Sequence, residues 1–404
     1  MPKKVKTDKK LIQEFLIRGV ENAYPNREEL EKVLRSGKRL RIYNGIDPTG
    51  SSLHLGHLVI LLKLKQLQDL GHEIIILIGD FTAMIGDPTD KLAVRKPLTR
   101  QEVLANAKDY KKQIGRILDL KKVTFKYNSK WLNKLNFTDL VKLASHFTAQ
   151  QTLARDMFKT RMAEGKDLYI HEFLYPLMQA YDSVAMDVDM EVGGNDQMFN
   201  MLAGRTLMKK LKDKEKYVLT MKLLEDTSGV KMGKTEGNAV TLEDSPEEMY
   251  GKVMSWIDNL ILPAFEILTS VPMSEIEKMK SQMQAGANPR DYKMKLAKAV
   301  ISELLGDKKA AEAEAKFIKV FQQKDTPDEM PEVKVGKKEK KINNVDLFIR
   351  AKLVVSKSEA RRLIAQGGLS IDDKVIKDSV GQAKLKAGSV LKRGKRQFVR
   401  VVLK

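Results

Sequence analysis

His54 and His57, separated by Leu55 and Gly56, are two side chains whose types and spacing suit joint chemistry. Imidazoles three residues apart share one face of a helical turn. The loop ahead of them, Gly45-Ile46-Asp47-Pro48-Thr49-Gly50-Ser51-Ser52, makes that turn the first of a helix. A helix start offers unpaired N–H groups and a positive dipole end, which favour phosphate. Gly56 removes a side chain where a flat ring could lie against the backbone. The combination suits a nucleoside triphosphate. A zinc pair is the competing reading. The chain has five histidines, no cysteine and no Glu-x-x-His after the pair, which does not complete a zinc set.

The complement lies far downstream, in Lys231-Met232-Gly233-Lys234-Thr235. Two ammonium groups on a short loop suit the clasping of a leaving pyrophosphate as charge builds in the transition state. Gly229 and Gly233 ahead of Lys234-Thr235 invite a P-loop reading, but that motif needs four residues between its glycines and only three stand here. Another constellation is Tyr175, Gln179 and Asp182, at i, i+4 and i+7, which puts three polar groups on one helical face. Taken alone this is a solvated stripe. Apolar neighbours Phe173, Leu174, Leu177 and Met178, with a strand and a Gly-Gly turn following, turn it toward a cleft instead.

These groups need elements to position them. Residues 39–44 read as a strand, and Ser52 as the N-cap of a helix ending at Leu70, with Gly71 as its left-handed stop. Residues 73–79 form a continuous apolar run, as a strand buried on both faces of a parallel sheet does. The unit is βαβ, and ligands gather at the carboxyl ends of its strands. Helices are expected at 99–118, with Thr99 and Glu102 as a capping box, and at 137–144, 148–163 and 171–185. A strand is expected at 188–192, and 246–321 reads as helical throughout. The expected organisation is a Rossmann-like α/β catalytic domain over 1–243, an α-helical domain over 244–324, a linker over 325–341, and a small α+β unit over 342–404.

Composition narrows the function. A hydrophobic fraction of 42% is ordinary for a globular chain. No apolar run is long enough for a membrane span, the lysine-rich start lacks an apolar signal core, and the absence of cysteine is compatible with the cytoplasm. The net charge of +20 calls for a polyanionic partner. From residue 343 to 404 there are 15 Lys/Arg against 5 Asp/Glu, so half the excess sits in the last sixth of the chain. There, Ser356 and Glu359 fit a capping box, followed by a helix to Gly367 and short strands. Arg361, Arg362, Lys392, Arg393, Lys395 and Arg396 are candidate phosphate contacts of low sequence specificity.

The segments at 54–57 and 231–235 resemble the HIGH and KMSKS motifs of class I aminoacyl-tRNA synthetases. The run Tyr175-Pro176-Leu177-Met178-Gln179-Ala180-Tyr181-Asp182 closely resembles the tyrosine-binding helix of tyrosyl-tRNA synthetases, and the C-terminal sixty residues resemble an S4 RNA-binding domain. In the motif loop, Gly233 and Thr235 stand where Ser is common. The resemblance implies ATP contacts from Gly45, Asp47, Thr49, His54, Gly56, His57, Gly194, Asp196 and Lys234. It implies transition-state roles for His54, His57, Lys231, Lys234 and Thr235. Tyr43 and Asp182 would bracket a phenol hydroxyl, Tyr175, Gln179 and Asp87 would hold the α-ammonium, and Gln197 would lie near the substrate. It further implies Mg²⁺ with the ATP, no structural metal, a homodimer and tRNA(Tyr) as partner. A tryptophanyl enzyme is the rival, and should lack the Tyr43/Asp182 pair and the S4 unit.

Overall fold

The computed structural model describes residues 4–88, 98–225, 239–321, 330–336, 342–383, 385–394 and 397–403. Its chain divides into a unit over 1–310 and a unit over 311–404.

The first unit is organised by a six-stranded sheet of β1 (Val20–Tyr24), β2 (Arg41–Ile46), β3 (Glu73–Ile78), β4 (Val123–Tyr127), β5 (Met190–Gly194) and β6 (Tyr217–Met221). The strand order is β1-β6-β5-β2-β3-β4. All neighbours run parallel except β1, which is antiparallel to β6. The chain leaves β2 to build β3 on one side and returns to build β5 on the other. Such a reversal opens a crevice at the carboxyl ends of the central strands.

Burial explains the central strands. Ile74, Ile75 and Ile76 are wholly buried, and Tyr43, Ile75, Leu77, Met186 and Val188 form one core cluster. The Leu55–Leu70 helix ends at Gly71, whose φ of 101° is left-handed, as expected. Its N-cap is His54 rather than Ser52, whose hydroxyl is turned to Glu243 at 2.7 Å. The strand expected at 39–44 starts two residues later, and the one expected at 188–192 likewise. The helix expected at 99–118 is broken into Arg100–Ala107 and Tyr110–Ile114, although its Thr99–Glu102 capping box is formed. The stretch at 148–163 is likewise split, into Ala149–Leu153 and Asp156–Ala163.

Residues 246–321 are helices joined by short turns. Two buried cations knit this region, the Lys9–Ile17 helix and the Leu55–Leu70 helix together. Arg18, at the end of the Lys9–Ile17 helix, donates to the carbonyls of Phe265 (3.0 Å), Glu266 (2.9 Å), Val271 (2.6 Å) and Thr269. These are carbonyls that the Ile261–Leu268 helix and the turn after it leave without helical donors. Lys63 donates to the carbonyls of Phe15 (2.7 Å) and Arg18 (2.8 Å), and burial pulls its ammonium down to about 7.

The second unit holds a five-stranded sheet of β7 (Glu332–Val335), β8 (Leu369–Ile371), β9 (Lys374–Val375), β10 (Val390–Arg393) and β11 (Gln397–Leu403), in the order β7-β11-β10-β8-β9. Asp372 and Asp373, at φ 46° and 63°, turn β8 into β9. Val335, Leu347, Phe348, Leu369, Leu391 and Val401 centre its core. Within the stretch read as a linker, β7 pairs parallel with β11, because its alternation places Val333 and Val335 in the core and Glu332 and Lys334 outside.

Candidate active site

The segment from 53 to 57 sits beyond the end of β2 and is held by main-chain bonds. Leu55 N–H donates to the Val240 carbonyl at 3.1 Å, and Leu242 N–H to the Leu53 carbonyl at 2.8 Å, making an antiparallel bridge between His54 and Thr241. The imidazoles are fixed in turn. His54 Nδ1 accepts from Gly56 N–H at 3.1 Å, and His57 Nδ1 accepts from His54 N–H at 3.2 Å. With both Nδ1 atoms acting as acceptors, each neutral ring carries its proton on Nε2 and offers it as a donor. The rings lie 4.1 Å apart between centroids. A Cβ on Gly56 would stand 2.9 Å from His54 Cε1, so this glycine makes room for the neighbouring imidazole.

Lys231, Lys234 and Thr235 lie outside the described residues. The segment that follows them is described: residues 240–242 are the ones bonded to the His54 segment, and Lys252 Nζ holds the Ala239 carbonyl at 3.1 Å.

Asp47, expected as a nucleotide contact, joins the end of β2 to the helix bearing Tyr175. Its Oδ1 accepts from Thr82 Oγ1 at 2.7 Å and its Oδ2 from the Tyr175 hydroxyl at 2.8 Å. Burial raises its carboxyl to about 7, against the opposing pull of those two donors. Gly79 makes the arrangement possible, since a Cβ there would fall 1.9 Å from Asp47 Oδ1. Gly45 and Thr49 flank Asp47, and Thr49 N–H donates to the Asp47 carbonyl at 2.8 Å.

The polar stripe faces inward. Tyr175 and Asp182 are 6% and 2% exposed, while Leu177, Ala180 and Val184 on the same Ile170–Met186 helix pack against Ala203, Leu207 and Met208. Asp182 Oδ1 accepts from Trp131 Nε1 at 2.6 Å and Oδ2 from Asn128 Nδ2 at 3.3 Å, and burial holds its carboxyl well above the ordinary range. The Tyr43 hydroxyl bonds Ser183 Oγ at 2.9 Å. Gln179 Nε2 donates to Glu191 Oε1 at 3.0 Å, and Gln197 Nε2 to Asp87 Oδ2 at 2.6 Å. Gly194 and Asp196 flank the turn out of β5, where a Cβ on Gly194 would lie 2.6 Å from Asp196 Oδ1. Asn195 Oδ1 accepts from Asn22 and from Thr220, each at 3.0 Å, fastening that turn to β1 and β6.

Sequence reasoning missed Trp131, Asn128, Thr82, Ser183, Glu191 and Lys216. Asn128 and Trp131 follow the end of β4, where site residues gather in such sheets. Recognising the half-polar β4 would have pointed to them.

In the second unit Arg361 and Arg362 are exposed on the Lys357–Ala365 helix. Its N-cap is Ser356, but Glu359 turns its carboxylate to Val355 N–H at 2.8 Å instead of completing a capping box. Arg393 is committed within the unit, to the Leu353 carbonyl and to Glu359, each at 2.7 Å, and Lys392 pairs with Asp373. Lys395 and Arg396 lie outside the described residues. No three His, Asp or Glu side chains stand together as a metal nest among the described residues, nor is any of their helices long and apolar enough to cross a membrane.

Comparison with known proteins places this geometry. The family model described as tRNA synthetases class I (W and Y) matches residues 35–322, and the S4 domain model matches residues 345–379. A tyrosine–tRNA ligase of Carboxydothermus hydrogenoformans is 48% identical over 398 residues, covering 96% of this chain and 97% of the relative. One of Moorella thermoacetica is 44% identical, covering 96% and 94%. Among solved structures, a C-terminally truncated mitochondrial tyrosyl-tRNA synthetase of Coccidioides posadasii aligns with a TM-score of 0.61 at 26% identity, covering 76% of this chain and 91% of that one.

Proposed function

The chain belongs to the class I tRNA synthetases of the tryptophan and tyrosine family, and we propose that within it this protein activates L-tyrosine with ATP and passes it to the 3′ end of tRNA(Tyr). In the first step a tyrosine carboxylate oxygen bonds to the α-phosphorus while the bond to the bridging oxygen breaks, giving tyrosyl-adenylate and pyrophosphate. In the second, a terminal ribose hydroxyl of the tRNA attacks the acyl carbon and releases AMP. No enzyme nucleophile is required, because the attacking carboxylate is already ionised at neutral pH. Catalysis rests on positioning and charge stabilisation.

His54 and His57 donate from Nε2 to phosphate oxygens, and Lys231, Lys234 and Thr235 complete the grip. The Val240–Leu55 bond supports this convergence: Val240 lies six positions after Lys234, a reach of at most about 22 Å. Gly45, Thr49, Gly56, Gly194 and Asp196 serve the nucleotide, and Mg²⁺ arriving with the ATP would neutralise phosphate charge. Tyr43 and Asp182 address the phenol hydroxyl. Tyr175, Gln179, Asp87 and Gln197 address the ammonium end, with Asp47 holding Tyr175.

The observation that carries the tyrosine reading is Asp182, a buried carboxylate held by two donors beside the Tyr43–Ser183 bond. Phenylalanine would forgo the further bond that a phenol hydroxyl makes to Asp182 and Tyr43. Tyrosine-dependent exchange of pyrophosphate into ATP is the test. Dependence on tryptophan instead would overturn the reading, and Asp182→Ala should raise the KM for tyrosine at least tenfold while sparing that for ATP.

The S4 unit, with Arg361 and Arg362 exposed, offers the tRNA surface, joined by Lys395 and Arg396, whereas Lys392 and Arg393 are spent on Asp373, Glu359 and the Leu353 carbonyl within the unit. A homodimer is supported by exposed apolar side chains from β4 to the first residue of the Tyr175 helix: Phe137 (81%), Val141 (54%), Met162 (47%) and Ile170 (76%). Sedimentation should find two copies. The cytoplasm is the expected compartment for a cysteine-free chain acting on tRNA.

A further inference from the structure

Behind Tyr43 and Gln179 lies a buried polar cluster that the mechanism above leaves unused. Lys216 is wholly buried and Glu191 is 3% exposed, and the two are ion-paired. The ammonium also donates to Ser183 Oγ at 2.9 Å and to the Met201 carbonyl at 3.1 Å. Gly204 makes the room, since a Cβ there would stand 2.5 Å from Lys216 Nζ and 2.8 Å from Ser183 Oγ. Enclosing two charges this completely costs desolvation that apolar side chains would not incur, so fold stability alone is a poor reason for the pair.

Its bonds at either end supply a better one. An ammonium only donates and a carboxylate only accepts. Because Lys216 occupies one acceptor site of Ser183 Oγ, the serine proton is free to point at the Tyr43 oxygen 2.9 Å away. Tyr43 then keeps its own proton, for which Glu191 and an incoming hydroxyl are the acceptors. At the other end, Glu191 Oε1 draws in the amide nitrogen of Gln179 at 3.0 Å, which leaves the amide oxygen of Gln179 outward as an acceptor. One side presents a donor to a hydroxyl, and the other an acceptor to an ammonium.

We propose that the Lys216–Glu191 pair is a positioning device that sets the hydrogen-bond direction of Tyr43, through Ser183, and of Gln179, and thereby orients both polar ends of the amino acid. This rests on the reading of Tyr43 and Gln179 as tyrosine-facing groups.

The test uses pyrophosphate exchange by the full-length protein, with tyrosine and phenylalanine as competing substrates. Ser183→Ala breaks the relay while leaving the ion pair intact. It should raise the KM for tyrosine about tenfold, the worth of one hydrogen bond, and lower the tyrosine-to-phenylalanine preference by the same factor. The KM for ATP should stay within about twofold. In a Tyr43→Phe background the same substitution should add nothing. Lys216→Met should lose at both ends and so exceed Ser183→Ala; if it does not fold, the Ser183→Ala and Tyr43→Phe cycle decides alone. Additive effects in that cycle, or parallel losses for tyrosine and ATP, overturn the proposal. A wild type that exchanges with tryptophan and not tyrosine brings down the underlying reading, and the device with it.

Discussion

Gly79→Ala is the substitution on which the geometry makes its sharpest demand. Gly79 follows β3 with no unusual backbone angle, so only space forbids a methyl group there. The added Cβ would lie 1.9 Å from Asp47 Oδ1, 2.4 Å from Thr82 Oγ1 and 3.1 Å from Asp47 Cγ. Relief to ordinary contact requires the carboxylate to retreat by about 1.5 Å, which is more than a hydrogen bond tolerates. Both its bonds, 2.7 Å from Thr82 and 2.8 Å from Tyr175, then break. Hydrogen bonds to a charged group contribute about 1.5–3 kcal/mol each. Water can replace part of that in a partly open recess, so a net loss of about 3 kcal/mol is expected, roughly a hundredfold. Because Tyr175 loses its tether, the loss should appear as a lower kcat/KM for tyrosine in pyrophosphate exchange. Gly251→Ala is the control: it sits within the Pro246–Met254 helix with no atom within 4 Å of a new Cβ. That exchange should leave activity unchanged and stabilise the fold by about 0.5–1 kcal/mol. If Gly79→Ala retains kcat/KM within threefold of wild type, the Asp47 tether does not position Tyr175.

Other perturbations follow from the same contacts. His57→Asn keeps an acceptor for His54 N–H but removes the outer donor, whereas His57→Gln does the reverse; the Gln variant should retain the faster exchange, and the opposite order would sink the Nε2 assignment. Arg18→Met strips donors from four carbonyls and should lower stability by about 3 kcal/mol in urea titration, a shift under 0.5 kcal/mol counting against it. Asp47 holds its proton up to about pH 7 in the folded chain, against 3.8 ordinarily. Between those values the folded state binds the extra proton, so the proton's contribution to stability is full below pH 3.8 and fades as pH rises toward 7. Asp47→Asn has no such proton, so wild-type stability should fall relative to the variant over that window, and parallel pH profiles would contradict the assignment.

The sequence was a good guide wherever apolar patterning was strong. The isoleucine run of β3 and the Gly71 stop stood out because a strand buried on both faces has no alternation to confuse it. The strands β1, β4 and β6 were not recognised, since Val20–Tyr24 and Val123–Tyr127 mix charged and polar residues with few aliphatics. The breaks after Ala107 and Leu153 carry no Gly or Pro to mark them, whereas the stop at Ile114 falls at Gly115. In the candidate site, the period of Tyr175, Gln179 and Asp182 put them on one helical face, and only their apolar neighbours marked that face as inward. Lys216 and Glu191 were not legible, for a lysine in a chain this basic reads as solvated surface until the fold encloses it.

The parallel pairing of Glu332–Val335 with Gln397–Leu403 bears on how the protein can be cut. A fragment begun at Ile342, where the sequence alone would start the last domain, discards the strip that seals its final strand. That strand would then carry a bare row of N–H and C=O groups, an invitation to stick to copies of itself. Dissection upstream of Pro331 retains the seal and should yield the better-behaved piece.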